Sequence, residues 1–159
     1  MGASLQSPPP ARPPGRTGPT AEDIGVSARV PASVAEGCLE MLRETSYADL
    51  TVRAVAARAK VAPATAYTYF SSKNHLIAEV YLDLIRQAPF FTDVNDSRLD
   101  RVQQALRSLA LVIADEPEVA VACTTAVLSN DAGVPRVRDR IGAEIHKRIK
   151  SALGPDADP

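Results

Sequence analysis

VAPATAYTYFSSKNHL, residues 61–76, holds three of the chain's seven aromatic residues, Tyr67, Tyr69 and Phe70, within four positions. They follow a proline and are interleaved with hydroxyls. At about 100° per residue, positions 63–70 make two turns of helix with two distinct sides. Pro63, Ala66 and Phe70 share one side, Ala64, Thr65, Thr68 and Tyr69 the other, and Tyr67 lies at the boundary. A helix this short is not stable alone in water and needs a large buried anchor, which is the role expected of Phe70. The two tyrosines then need not be buried. Hydroxyls on the outer face suit phosphate oxygens, because they donate a hydrogen bond without a bulky charge. Pro63 at the first helical position removes one N–H, and the amides left free point partial positive charge outward. The alternative, that the tyrosines cap a core, leaves the surrounding charge pattern unexplained.

That pattern is one-sided. The net charge of the chain is −1, yet the 29 residues from Leu50 to Ala78 contain no Asp or Glu and carry Arg53, Arg58, Lys60 and Lys73. A local positive footprint matters more to a polyanion than the total charge does. The competing reading of the same residues is a solvated basic face with no partner.

Working outward, every segment with a clear period is helical. Residues 1–29 contain six prolines and little to bury, and are expected to be a disordered, mildly basic arm carrying Arg12, Arg16 and Arg29. Pro31 suits a first helical turn, and Val34, Cys38, Met41 and Leu42 recur at steps of three and four through Glu44. Thr51 is a good N-cap for a helix over Val52 to Ala59, with Leu50 and Val55 placed as a hydrophobic staple. The short helix over Pro63 to Phe70 follows the turn Lys60-Val61-Ala62. Ser71 or Ser72 caps a longer helix with Leu76, Ile77, Val80, Tyr81, Leu84 and Ile85 on one side, ending before Pro89. After a loop over Phe90 to Ser97, helices are expected from about residue 98 to Asp115, over Val119 to Leu128, and from about residue 136, with Gly133 and Pro135 marking a break. The fold class is all-α, and two helices joined by a tight turn over residues 52–70 form a helix-turn-helix.

Composition narrows the function classes. No apolar run reaches the roughly 18 residues of a membrane span. No basic segment followed by an apolar one opens the chain as a signal peptide would. Cys38 and Cys123 are too sparse for a secreted disulfide framework and fit a reducing cytoplasm, Cys38 as a small buried hydrophobe. His75 and His146 are the two histidines and lack metal-ligand spacing. No nucleophile triad, phosphate loop or carboxylate pair stands out, so the expectation is no enzyme, no metal and no cofactor.

The run LTVRAVAARAKVAPATAYTYFSSKNHL resembles the DNA-binding signature of the TetR family of transcriptional regulators, in the order T-V-R-x-V-A-x-R-A-x-V, then T-x-Y-x-Y-F-x-S-K and a leucine. With Val34, Cys38, Leu42 and Tyr47 upstream, the resemblance covers roughly residues 31–88. It implies a helix-turn-helix DNA-binding domain over 30–88 and a helical ligand-binding and dimerisation domain over 89–159. It also implies a palindromic duplex operator as partner, a small apolar effector that releases the DNA, repression, and a homodimer. Thr51, Thr65, Tyr67, Tyr69 and Lys73 would hold phosphates, with Lys60 in the same basic surface. Arg53, Pro63, Ala64 and Thr68 would lie near base edges, Ala64 and the Thr68 methyl against thymine methyls and Arg53 toward a guanine.

The sequence departs from the family pattern at three places. Lys60 stands where glycine is common, which puts a lysine at positive φ at a cost of about 1 kcal/mol. Ala62 replaces a small polar cap, and Ser46 a glycine. In the second half, Leu106, Leu109, Val112, Ile113, Val121 and Val127 are candidates for an effector pocket or for plain core. The family continues with two long helices that pair in the dimer, whereas this chain ends at GPDADP, so the effector domain is expected to be incomplete and the dimer helices missing from it. A different class, a helical interaction module that keeps the motif without binding DNA, predicts that replacing Tyr67 or Lys73 leaves activity intact.

Overall fold

The computed structural model describes residues 30–91 and 93–155. The arm expected over 1–29 lies outside the described residues. Seven helices and no strand occur among the described residues: α1 (Ala32–Glu44), α2 (Val52–Arg58), α3 (Pro63–Tyr69), α4 (Lys73–Gln87), α5 (Arg98–Ala114), α6 (Pro117–Leu128) and α7 (Val134–Leu153). No helix among them is long and apolar enough to cross a membrane.

Side chains set the helix starts. Thr51, Ser72 and Ser97 each accept a hydrogen bond from the backbone N–H three residues on and so cap α2, α4 and α5. Pro31 is the N-cap of α1, one residue before the helix, where its carbonyl accepts from Val34 and Ala35. α6 begins at Pro117, two residues earlier than expected. α7 takes Pro135 into its first turn instead of breaking there. The reason is common to both: a first-turn residue has no intrahelical acceptor for its N–H, so proline loses nothing there.

Two buried clusters organise the chain. The larger joins Val34, Cys38 and Leu42 of α1, Leu50, Val52 and Val55 around the start of α2, Ala66 and Phe70, the α4 residues Leu76, Ile77 and Val80, and Val119, Ala122, Cys123 and Ala126 of α6. The smaller joins Ala78, Leu82 and Ile85 of α4 to Val137 and Ile141 of α7. α4 is therefore buried on two faces rather than along one stripe, because it packs against α1, α5, α6 and α7. The helix-turn-helix segment and α6 share one core across the boundary expected at 88/89.

Two guanidiniums, Arg148 buried and Arg101 part-buried, close the helix ends in the second half. Arg148 of α7 donates to the Arg86 and Ala88 carbonyls at the end of α4, each at 3.0 Å, and Arg101 of α5 donates to the Ala152 carbonyl of α7 at 2.8 Å. Each satisfies last-turn carbonyls that the helix itself leaves open.

Candidate nucleic-acid interface

The turn between α2 and α3 is built around Lys60. Its N–H donates to the Ala57 carbonyl at 3.2 Å and the Val61 N–H to the Ala56 carbonyl at 2.8 Å, the paired bonds of a Schellman motif. That motif needs a left-handed residue, and Lys60 supplies it at φ 57°. Its exposed side chain leaves the turn toward solvent.

α3 hangs from this turn by its inner face. Phe70 is 5% exposed and Ala66 4%, whereas Tyr67 is 54% and Tyr69 47% exposed. Neither phenol engages another described residue by hydrogen bond. Phe70 touches His75 edge-on with ring centroids 6.0 Å apart, which fixes the anchor against the first turn of α4. Pro63, placed by the wheel beside Ala66 and Phe70, is exposed, because it stands at the opposite end of α3 from the anchor. The cap residue Ala62 makes no side-chain bond to the helix start, so the Ala64 and Thr65 amides are left for an outside acceptor.

The polar residues of this surface are of three kinds. Thr65 is exposed and unengaged among the described residues, as is Arg53 on the first turn of α2. Thr51 caps α2 through its oxygen, accepting from Ala54 at 3.1 Å, which leaves its hydroxyl hydrogen available. Thr68 returns its hydroxyl to the Ala64 carbonyl at 3.0 Å, so the methyl is what it offers a partner beside the exposed Ala64. Lys73 is held: Nζ donates to the Tyr47 carbonyl at 2.9 Å and the Ala48 carbonyl at 3.2 Å, and sits 4.3 Å from the Tyr47 ring centroid. One of its three N–H groups remains for a phosphate.

The acid-free window is less basic in space than in sequence. Arg58 pairs with Glu44 at 2.5 Å and with Glu40 at 3.6 Å, both on α1. The Glu44 hydrogen bond raises the Arg58 pKa and lowers that of Glu44 in return. Arg53, Lys60 and Lys73 keep their charge free of carboxylates among the described residues.

The candidate effector residues are not brought to one cavity. A groove of about 500 Å³ opens between the end of α4 and α5, walled by Leu84, Ala88, Pro89, Phe91, Leu111 and Val112 together with Gln87, Gln104, Arg107 and Ser108. Val112 is the candidate found there. Leu106 and Val121 are 48% and 62% exposed, Leu109 and Val127 pack on the α4–α7 cluster, and Ile113 packs on the larger core. The groove residues near 84–91 escaped the sequence reading because nothing in their pattern separates an uncovered apolar face from a covered one. The contacts of residues 129–133 with α4 were missed too. Their one signal is the turn-like string Asn130-Asp131-Ala132-Gly133.

The family model for bacterial regulatory proteins of the tetR family matches residues 36–80, from α1 into α4. HTH-type transcriptional regulators of Mycobacterium bovis and Mycobacterium tuberculosis are 63% identical to the chain over 149 residues, covering 91% of it and 70% of their own length. A crystal structure of a TetR transcriptional regulator from Rhodococcus sp. RHA1 matches with a TM-score of 0.68 at 26% identity, over 80% of this chain and 69% of that one. With the exposed Tyr67–Tyr69 face, the Schellman turn at Lys60 and a 63% identity over most of its length, the chain belongs to the TetR family of transcriptional regulators.

Proposed function

We propose that the chain is a ligand-responsive repressor that binds a palindromic operator as a homodimer and lets go when a small apolar molecule binds its helical half. The observation that carries the reading is the outer face of α3: two half-exposed phenols with unengaged hydroxyls on a helix whose one large buried side chain is Phe70. Thr51, Lys60, Thr65, Tyr67, Tyr69 and Lys73 hold phosphates. Arg53, Pro63, Ala64 and Thr68 meet base edges, with methyl contacts favouring A·T pairs under Ala64 and Thr68. The α4–α5 groove is the effector site, supported by its mainly apolar lining and by Arg107, the one charged residue in that lining. The protein acts as a homodimer in the cytoplasm, a compartment that suits two buried free cysteines.

The test is selection of bound duplexes from random DNA, then titration of a selected duplex over a range of salt. The expected result is a two-fold site with half-sites about one helical turn or a multiple apart, and log K falling linearly with log salt by about 0.9 per neutralised phosphate. Binding with no salt slope contradicts it. Apolar carboxylates and acyl thioesters screened by thermal shift test the groove, since a ligand of the folded state raises Tm.

A further inference from the structure

α3 is a short helix whose main helical packing is against α2, so anything the second half of the chain does to it has to travel through what α3 is tied to. The tie lies in residues 71–75, just past the anchor Phe70. There the connection between α6 and α7 comes down onto the first turn of α4 and makes three contacts.

In the first, Asn74 Nδ2 donates to Asp131 Oδ2 at 2.9 Å, while Asn74 Oδ1 accepts from the Tyr47 hydroxyl. Both faces of one amide are used, and three segments meet on it: the α1–α2 loop, α4 and the α6–α7 connection. Lys73 closes the arrangement, because its ammonium bonds the Tyr47 carbonyl. In the second, the Ser71 hydroxyl donates to the Ala132 carbonyl. In the third, Gly133 lies against His75 so closely that a Cβ there would come within 2.8–2.9 Å of three imidazole atoms. Its φ of 91° also excludes an ordinary side chain. His75 in turn touches Phe70.

The connection is itself braced from behind. Arg138 of α7 donates to the Val127 carbonyl at 2.9 Å and the Ser129 carbonyl at 2.8 Å, and the Val134 N–H donates to the Asp131 carbonyl at 3.1 Å. A shift of α6 against α7 therefore moves Asp131, Ala132 and Gly133 as a unit. The joint is polar and half-buried where it meets Asn74, so it can let go and re-form without opening the core.

We propose that residues 129–133 are a latch that sets the pose of α3 and of the α1–α2 loop, with Asn74 as the positioning residue between Asp131 and Tyr47. The inference rests on the DNA-binding reading and adds to it the residues through which the helical half acts. Asn74 touches no operator in this account. It works through Tyr47, Lys73 and the start of α4.

The test is a double-mutant cycle on the full chain, with wild type, Asp131→Ala, Tyr47→Phe and the double variant titrated against a duplex selected by wild type. Amide exchange is measured on the same four proteins. Loss of either hydrogen bond is expected to weaken binding roughly three- to tenfold, and the double variant to be no weaker than the weaker single. Exchange should rise in residues 45–50 and 63–75 of Asp131→Ala while α5 keeps its protection. Gly133→Ala, which displaces His75 by a separate route, should show the same local rise. Losses that multiply in the double variant, or exchange that rises evenly over the whole chain, overturn the latch. Wild type that selects no duplex sinks the DNA-binding reading instead, and the exchange pattern still decides whether the latch exists.

Discussion

Lys73 donates to the backbone carbonyl of Tyr47 at 2.9 Å while standing 4.3 Å from the centroid of the same residue's ring. One cation thus ties the start of α4 to the α1–α2 loop, twenty-six positions earlier. The proposed function gives this lysine a phosphate contact as well, through the one N–H that the clamp leaves free. Lys73→Met is predicted to lose both: a Tm lower by several degrees, and a salt slope reduced by about 1. Calorimetry and a salt titration read the two effects separately. An unchanged slope would confine Lys73 to the clamp.

Lys60 sits at φ 57° in a turn whose hydrogen bonds demand that conformation. Lys60→Gly is predicted to raise stability by about 1 kcal/mol, by relieving the left-handed strain, and to weaken DNA binding with a shallower salt slope. Urea unfolding and a duplex titration measure the two. A destabilised variant would mean the side chain has packing value that outweighs its strain.

Much of the architecture was legible because it depends on neighbours in sequence. Thr51 and Ser72 announce helix starts through bonds to the residue three positions on, and Phe70 is the one large apolar residue on the inner side of α3. What escaped depends on partners far along the chain. Arg58 looked like a free cation and is taken up by Glu44 and Glu40 on α1. Lys73 looked unengaged because its acceptors are backbone carbonyls, which no side-chain pattern displays. Leu106 and Val121 read as pocket or core candidates in the helical half that the resemblance implies, but an apolar residue in a helix does not say whether another element covers its face.

Glu79 joins α4 to Arg140 of α7 at 2.5 Å, with His75 at 3.8 Å. Burial raises its carboxyl pKa, but the hydrogen bond with His75 and the charge and hydrogen bond of Arg140 outweigh this and leave it below the ordinary 4.5. A carboxyl depressed in the folded state adds stability above its unfolded pKa and loses that contribution as pH falls through the folded value. Wild type is therefore predicted to exceed Glu79→Gln in urea midpoint near neutral pH, with the gap closing as pH drops below about 4.5. A gap that widens in acid would reverse the assignment.

Cys38 and Cys123 are fully buried, and burial pushes both thiols up to about 12. The thiolate is the reactive form, so both are predicted to resist alkylation at neutral pH until the chain unfolds. Labelling followed by mass spectrometry, with and without urea, checks this. Rapid modification of the native protein at either site would show that α1 and α6 part readily.

The central claim is that the hydroxyl face of α3 lies against duplex DNA. Tyr67→Phe/Tyr69→Phe removes two neutral donors that make no hydrogen bond within the described chain, so folding should not notice. The decisive measurement is the affinity of this double variant for a selected duplex, across salt, beside its Tm. The account predicts binding weakened roughly ten- to a hundredfold at every salt concentration, with the same slope as wild type and the same Tm, because the lost bonds go to phosphates but carry no charge. Wild-type affinity in the double variant would contradict it.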